Sequence, residues 1–429
     1  MKSNESSVVS RQMKLLNRGL AAYKSEAYVN SPLLTAPAVQ AVQDKPNLLR
    51  QYGLLAGLLD HNRPSEDGPE TLDAESRLFF NTMIPSSTFI CGSQGSGKSH
   101  TLSCLLENCL VPSAAAVLPN PLTALVFHYD TFISDDGGSP CEAAYLASIP
   151  GITVRVLCAP TNFATIKRTY SRLHVEVQPL QLKDGDLNTK RMLDLMAVNK
   201  EDASIPLYIH VVHRILREMR MEQQATGKSF DYAKFTANIA NAGLAPTQLA
   251  PLYQRLSVLE SFMSRTSTNK SKKSKGDGAR EATNWTNKYM ASSAESLTFS
   301  NNILSMVRLQ RHLGVRIIVA TQEPTISTSL LDLCSVIIIH RFTSPAWLRV
   351  VQHHVCTQDG KPSDLIESQT TLFKVIAGLN TGEALLFAPS AVRSDSCAVT
   401  TEAVSGPRYL KVRIRGRLSD DGGRSVLAK

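Results

Sequence analysis

The stretch Gly92-Ser93-Gln94-Gly95-Ser96-Gly97-Lys98-Ser99 matches G-x-x-x-x-G-K-[ST] without a mismatch. Each residue type in it has a role toward a polyphosphate. The glycines let the backbone turn tightly and approach the anion closely. Successive N–H groups then point inward and form an anion-binding nest. The Lys98 ammonium reaches the β- and γ-phosphates of a nucleotide, and the Ser99 hydroxyl binds Mg²⁺. The flanks fit the same chemistry. Thr88-Phe89-Ile90-Cys91 reads as a short strand. The segment from His100 to Asn108 reads as a helix whose positive N-terminal end faces the phosphates. Residues 92–100 are therefore expected to hold ATP.

Other polar residues at strand ends are candidates for the same site, because ligands of open α/β sheets lie beyond the C-terminal ends of the strands. Gln322 follows the very apolar run Arg316-Ile317-Ile318-Val319-Ala320-Thr321 and precedes Glu323-Pro324, which stops regular structure. A glutamine there orients a water toward the γ-phosphate, or caps the strand and bonds only to backbone. Asp130 ends a second strand candidate, residues 124–130, and is the candidate to sit near Mg²⁺. His340, His353, His354 and Cys356 match no zinc spacing.

These residues need a framework, and the rest of the chain supplies one. Strand candidates at residues 152–157, 316–322, 336–340, 384–388 and 409–414 alternate with helix candidates. That pattern implies an α/β fold with a mostly parallel sheet covered on both faces. Five segments are expected: a partly helical N-terminal segment at 1–77, a first part of the core at 78–184, a helical insertion at 185–264, a disordered Lys/Ser-rich linker at 265–287, and a second part of the core at 288–429 with a basic C-terminal strand. In the N-terminal segment, residues 15–23 and 48–59 look like short helices. In the insertion, Tyr208, Val212, Ile215, Leu216 and Met219 recur at three- and four-residue spacing, as do Leu252, Leu256, Leu259 and Met263. A helix is expected over residues 295–313, with Gly314 at its C-cap.

The chain has 429 residues, 43% of them hydrophobic, enough for a large α/β domain with insertions or for two domains. No apolar run reaches the ~18 residues a membrane-spanning helix needs, so no membrane insertion is expected. The N-terminus is polar and lacks the core of a secretory signal. Eight scattered cysteines read as reduced thiols. An intracellular location, in cytoplasm or nucleus, is therefore expected. The formal charge is +9, part of it in the tract from Lys270 to Arg280 and part in Arg408, Lys411, Arg413, Arg415 and Arg417. Such basic residues attract nucleic acid and other polyanions, or form a solvated loop and an edge strand protected by charge.

Residues 92–99 taken with Ile317-Ile318-Val319-Ala320-Thr321-Gln322-Glu323-Pro324-Thr325-Ile326-Ser327 resemble the FtsK–HerA class of P-loop ATPases. Leu379-Asn380-Thr381-Gly382-Glu383-Ala384 is similar to a late strand start of that class. Closer still, Ser305 to Arg316 and His340 to Trp347 resemble a set of uncharacterised fungal P-loop NTPases. The resemblance covers roughly residues 78–420. It implies a RecA/FtsK-like core, ATP and Mg²⁺ as ligands, and a homo-oligomeric ring acting on nucleic acid. It also implies an arginine that reaches the neighbouring subunit's nucleotide, for which Arg308, Arg311 and Arg341 are the candidates. Lys98, Gln322 and Arg311 are thus the expected catalytic residues.

The same resemblance implies a Walker B strand ending in Asp-Glu between the insertion and the Arg-rich helix. Residues 264–293 contain no apolar run, and the matching place reads Asn284-Trp285-Thr286-Asn287-Lys288-Tyr289. Without the Asp, Mg²⁺ loses an anchor; without the Glu, the water loses its general base. The expectation is ATP binding with impaired hydrolysis: either a motor-type ATPase or a weakly catalytic nucleotide-binding switch or scaffold.

Overall fold

The structure is a computed structural model of the chain. It describes residues 28–42, 45, 48–59, 72–129, 134, 137–195, 207–263, 294–322, 328–355, 371–391 and 409–422. In chain order the strands are β1 (Leu33–Thr35), β2 (Tyr52–Leu58), β3 (Arg77–Asn81), β4 (Ser87–Cys91), β5 (Ala116–Val117), β6 (Arg155–Cys158), β7 (Glu176–Pro179), β8 (Ile317–Thr321), β9 (Val336–Ile339), β10 (Glu383–Phe387) and β11 (Leu410–Ile414). The chain divides into two compact units: residues 1–128, 141–152 and 288–429 form the first, and residues 129–140 and 153–287 the second.

The first unit is built on one nine-stranded sheet, in the order β1-β3-β2-β11-β10-β9-β4-β8, with β5 pairing to β2. Successive side chains of a strand point to opposite faces, and both faces here are apolar. Ile90, Ile338 and Leu386 pack on one face with Cys104, Leu105 and Cys109 of the helix Lys98–Leu110. Phe89, Ile337 and Leu385 pack on the other with Leu331, Val351 and Ile376, which lie on helical segments C-terminal to β8. The expected cover on both faces is therefore present at β4, β9 and β10.

The strand directions differ from expectation. In this sheet, among the described residues, only β4–β8 and β4–β9 are parallel. The pairs β1–β3, β2–β3, β2–β5, β2–β11, β10–β11 and β9–β10 are antiparallel. The sheet is mixed rather than mostly parallel, because hydrophobic periodicity fixes which face a side chain takes and not the direction of its neighbour. Part of the antiparallel half comes from a segment expected to be helical. Within residues 48–59 the chain forms β2, where Gly53 and Gly57 lower helix propensity. Residues 15–23 lie outside the described residues, as does the tract 270–280.

In the second unit β6 and β7 pair in parallel around the helix Phe163–Thr169. The helices Leu207–Thr226, Tyr232–Ala240 and Pro246–Ser261 share one apolar core, in which Val212, Leu216, Phe235, Leu252, Leu256 and Leu259 are buried. The apolar spacing read from the sequence thus marks the buried stripe of these helices. In the first unit the helix Ala294–Leu313 ends at Gly314 with φ 66°. Among the described residues, no helix is long and apolar enough to cross a membrane.

Candidate functional site

The glycine-rich stretch of residues 92–97 connects the fully buried strand β4 to the helix Lys98–Leu110. Parallel neighbours on both sides hold the strand's C-terminal end at Cys91. The chain then leaves the sheet through Ser93, whose N–H and hydroxyl both donate to the Arg341 carbonyl, at 2.9 and 2.8 Å. The Ser93 carbonyl in turn faces inward. It accepts from the Ser96 hydroxyl and the Lys98 ammonium, each at 2.7 Å, and from the Ser96 N–H at 3.4 Å. Gly97, with φ 108°, is the residue from which the helix starts, and a side chain there would be strained.

No side chain caps this helix, and no acid stands in its first turn. Its leading N–H groups and dipole are oriented for an anion. A Cβ placed on Gly95 would meet nothing within 4 Å, so the outer turn of the loop is open. Ser99 is exposed at the first turn of the helix, a position from which its hydroxyl can serve Mg²⁺. Burial lowers the Lys98 pKa below its usual value, which makes the ammonium more responsive to an incoming anion. The Cys91 thiol behind it is pushed up to about 12 by burial and is neutral.

One residue beneath the loop was not legible as part of it. His340, adjacent in sequence to the end of β9, is fully buried. Its Nε2 lies 2.8 Å from the Thr101 hydroxyl and its Nδ1 lies 3.0 Å from the Glu383 carbonyl. A strand ending in His-Arg is the only sequence signal, and it does not specify what the ring touches.

The other sequence-named residues are distributed unevenly. The β4–β8 register pairs Cys91 with Thr321, so Gln322 leaves its strand abreast of Gly92 and is exposed. Arg341 joins the loop through its carbonyl, and its side chain is exposed. Arg308 and Arg311 are exposed on the helix Ala294–Leu313, and among the described residues no hydrogen bond or ion pair joins them to the loop. The expected strand over residues 124–130 is absent as far as residue 129, where the chain is irregular and Leu125 and Phe127 are exposed. Asp130 itself lies outside the described residues, as do Asn284 to Tyr289, Cys356 and the side chains of His353 and His354. No cluster of three His, Cys, Asp or Glu suited to a metal occurs among the described residues.

Lys411, Arg413, Arg415 and Arg417 of the C-terminal basic cluster are engaged within the fold; Arg408 lies outside the described residues. Arg415 pairs with Glu107 at 2.8 Å, and both side chains are buried. Glu107 also accepts from the N–H groups of Leu418 and Ser419 and from the Ser419 hydroxyl. Burial alone would raise its pKa, but these bonds and Arg415 hold it below the ordinary carboxylate value. Arg417 pairs with Glu142 and Asp421. Lys411 and Arg413 each lie 3.5 Å from Glu383. Moreover β11 lies between β10 and β2, not at an edge. The protected-edge reading therefore does not describe these four residues. His100, expected beside the phosphates, has its Nε2 2.7 Å from the Arg415 carbonyl and so faces this C-terminal segment.

No protein-family model and no curated protein matches the chain. Among solved structures it is similar to the pCW3 conjugation coupling protein TcpA in its monomer form with ATPγS. The identity is 10%, over 84% of this chain and 69% of that one, with a TM-score of 0.26. It is also similar to the cytoplasmic domain of the Thermomonospora curvata type VII secretion ATPase EccC. There the identity is 17%, over 83% of this chain and 30% of that one, with a TM-score of 0.27. At these scores neither likeness bears on fold or function.

Proposed function

We propose that the chain binds ATP with Mg²⁺ at residues 92–99 and is a P-loop NTPase of FtsK–HerA type. The observation that carries the reading is the motif's setting. A full G-x-x-x-x-G-K-S stretch joins a buried strand to an uncapped helix, with the Lys98 ammonium held inside the loop. The nest and the helix N–H groups bind the phosphates, Lys98 neutralises them, and Ser99 offers its hydroxyl to the metal. When bound, Mg²⁺ would supply Lewis-acid neutralisation of phosphate charge. Gln322 stands at the strand end beside the loop as the water-positioning residue. Hydrolysis is impaired in this reading, because Asn284 and Trp285 stand where the class carries its acids.

A homo-oligomeric motor acting on nucleic acid, with Arg311 reaching a neighbouring nucleotide, is the form the resemblance implies. A second form, a nucleotide-binding switch or scaffold with little turnover, is favoured by one observation. Lys411, Arg413, Arg415 and Arg417 are committed to internal ion pairs and leave less basic surface for a polyanion. Calorimetric titration of the purified chain with ATP and Mg²⁺, beside turnover with and without DNA, tests both. Undetectable ATP binding by the parent would overturn the site. DNA-stimulated turnover would overturn the switch.

A further inference from the structure

We propose that His340 is the positioning residue of the phosphate-binding loop, a neutral imidazole that fixes the loop's floor by bridging the Thr101 hydroxyl to the Glu383 carbonyl. The inference rests on residues 92–99 being the ATP site. The geometry fixes the hydrogen on one ring nitrogen. A carbonyl oxygen only accepts, so Nδ1 carries the hydrogen it donates to Glu383 at 3.0 Å. In the neutral ring Nε2 is then an acceptor, and the Thr101 hydroxyl donates to it at 2.8 Å. Burial first, and then the charged groups around the ring, keep it neutral. Lys98 and His100 lie close enough to act on it electrostatically, and both oppose a second proton. The Glu383 carboxylate is engaged elsewhere, by the Asn380 N–H at 3.1 Å and by Lys411 and Arg413.

His340 also lies against two glycines of the loop. A Cβ on Gly92 would stand 2.7 Å from the His340 Cβ, and a Cβ on Gly97 would stand 3.5 Å from the His340 Cε1 and Nδ1. The loop therefore rests on His340 at both of its ends, on the Cβ at Gly92 and on the imidazole edge at Gly97. Thr101 transmits the contact onward, since its N–H donates to the Gly97 carbonyl at 3.0 Å. A displaced Thr101 moves the start of the helix, and with it the amides and the lysine that face the phosphates. A buried hydrogen bond between two side chains gives this floor one preferred geometry, which a packed apolar pair would not impose.

Two variants of the full chain test this. Thr101→Val removes the hydroxyl and keeps the shape; His340→Asn keeps a donor toward Glu383 and loses the group facing Thr101. In both, amide hydrogen exchange of the loop peptide is expected to accelerate at least tenfold in ligand-free protein, while peptides of β4 and of the distal helix stay protected. Affinity for ATP and for inorganic pyrophosphate is expected to fall by the same factor, at least tenfold. Thr101→Ser, which keeps the hydroxyl, is expected to restore both. Unchanged loop exchange in folded Thr101→Val overturns the proposal. If loop exchange responds as expected but the parent binds no ATP, the nucleotide reading fails and the positioning role stands.

Discussion

The Lys98 ammonium lies 2.7 Å from the Ser93 carbonyl oxygen, inside its own loop. The same oxygen takes the Ser96 hydroxyl. The loop therefore holds its cation with a neutral acceptor that a phosphate oxygen can replace, and the exchange turns a bond to a neutral carbonyl into an ion pair.

Replacing that lysine gives the first test. Lys98→Ala is expected to remove about 1.5–3 kcal/mol of binding free energy. That corresponds to roughly 10- to 150-fold weaker ATP binding by calorimetry. Equal affinity in parent and variant would place the nucleotide elsewhere.

Stability depends on the C-terminal segment through Glu107. Glu107→Ala leaves the Arg415 guanidinium buried without its carboxylate. Such a loss costs about 3–5 kcal/mol. Denaturant unfolding of the variant should reveal it as a lower midpoint. A midpoint equal to the parent's would mean the pair contributes nothing net.

Acid should weaken the fold in a defined window. Burial lowers the His340 pKa from 6.5 to about 4, against the smaller raising effect of its bond to Glu383. The unfolded chain then binds more protons than the folded one between those values, so stability rises with pH across that interval. Below about 4 the loss is complete, at about 3 kcal/mol. The lowered Glu107 adds a loss of the same sign at more acid pH, since its contribution is present above the unfolded carboxylate value and vanishes as pH falls through the folded one. Unfolding free energies measured from pH 7 to pH 4 should decline in the parent and decline less in His340→Asn.

Turnover is expected to be slow even where ATP binds well, because no acid stands at Asn284 or Trp285 to serve as base. In that regime Gln322→Ala should leave ATP affinity and the residual rate nearly unchanged, since positioning a water matters only when the water is activated. Robust hydrolysis that Lys98→Ala abolishes would show that another acid serves, and Asp130→Asn would be the variant to make next.

The parts of the site that sequence revealed are those written in local order. The glycines, the lysine and the serine of residues 92–99 are contiguous, and strand, loop and helix follow in turn. The helices around Val212 and Leu256 were legible for a similar reason, since a 3.6-residue period survives in one dimension. What stayed hidden was non-local. β2 carries glycines and apolar residues without a decisive period, and only its pairing with β3 and β11 makes it a strand. His340 and Thr101 are 239 positions apart, and no spacing rule connects them. Arg415 and Arg417 read as surface charge because their carboxylate partners, Glu107 and Glu142, lie about as far away again in sequence.

The position of β11 has a consequence for how the chain is made. β2 reaches β10 only through β11, and among the described residues β11 follows the other strands of this sheet in sequence. Until it arrives, β1, β3 and β2 stand on one side and β10, β9, β4 and β8 on the other, with no strand between them. Arg415 must also travel back 308 positions to neutralise Glu107. Such long-range pairings carry a large loop-closure entropy and slow folding. During synthesis the early half of the sheet waits with an unpaired edge, which favours association with other chains.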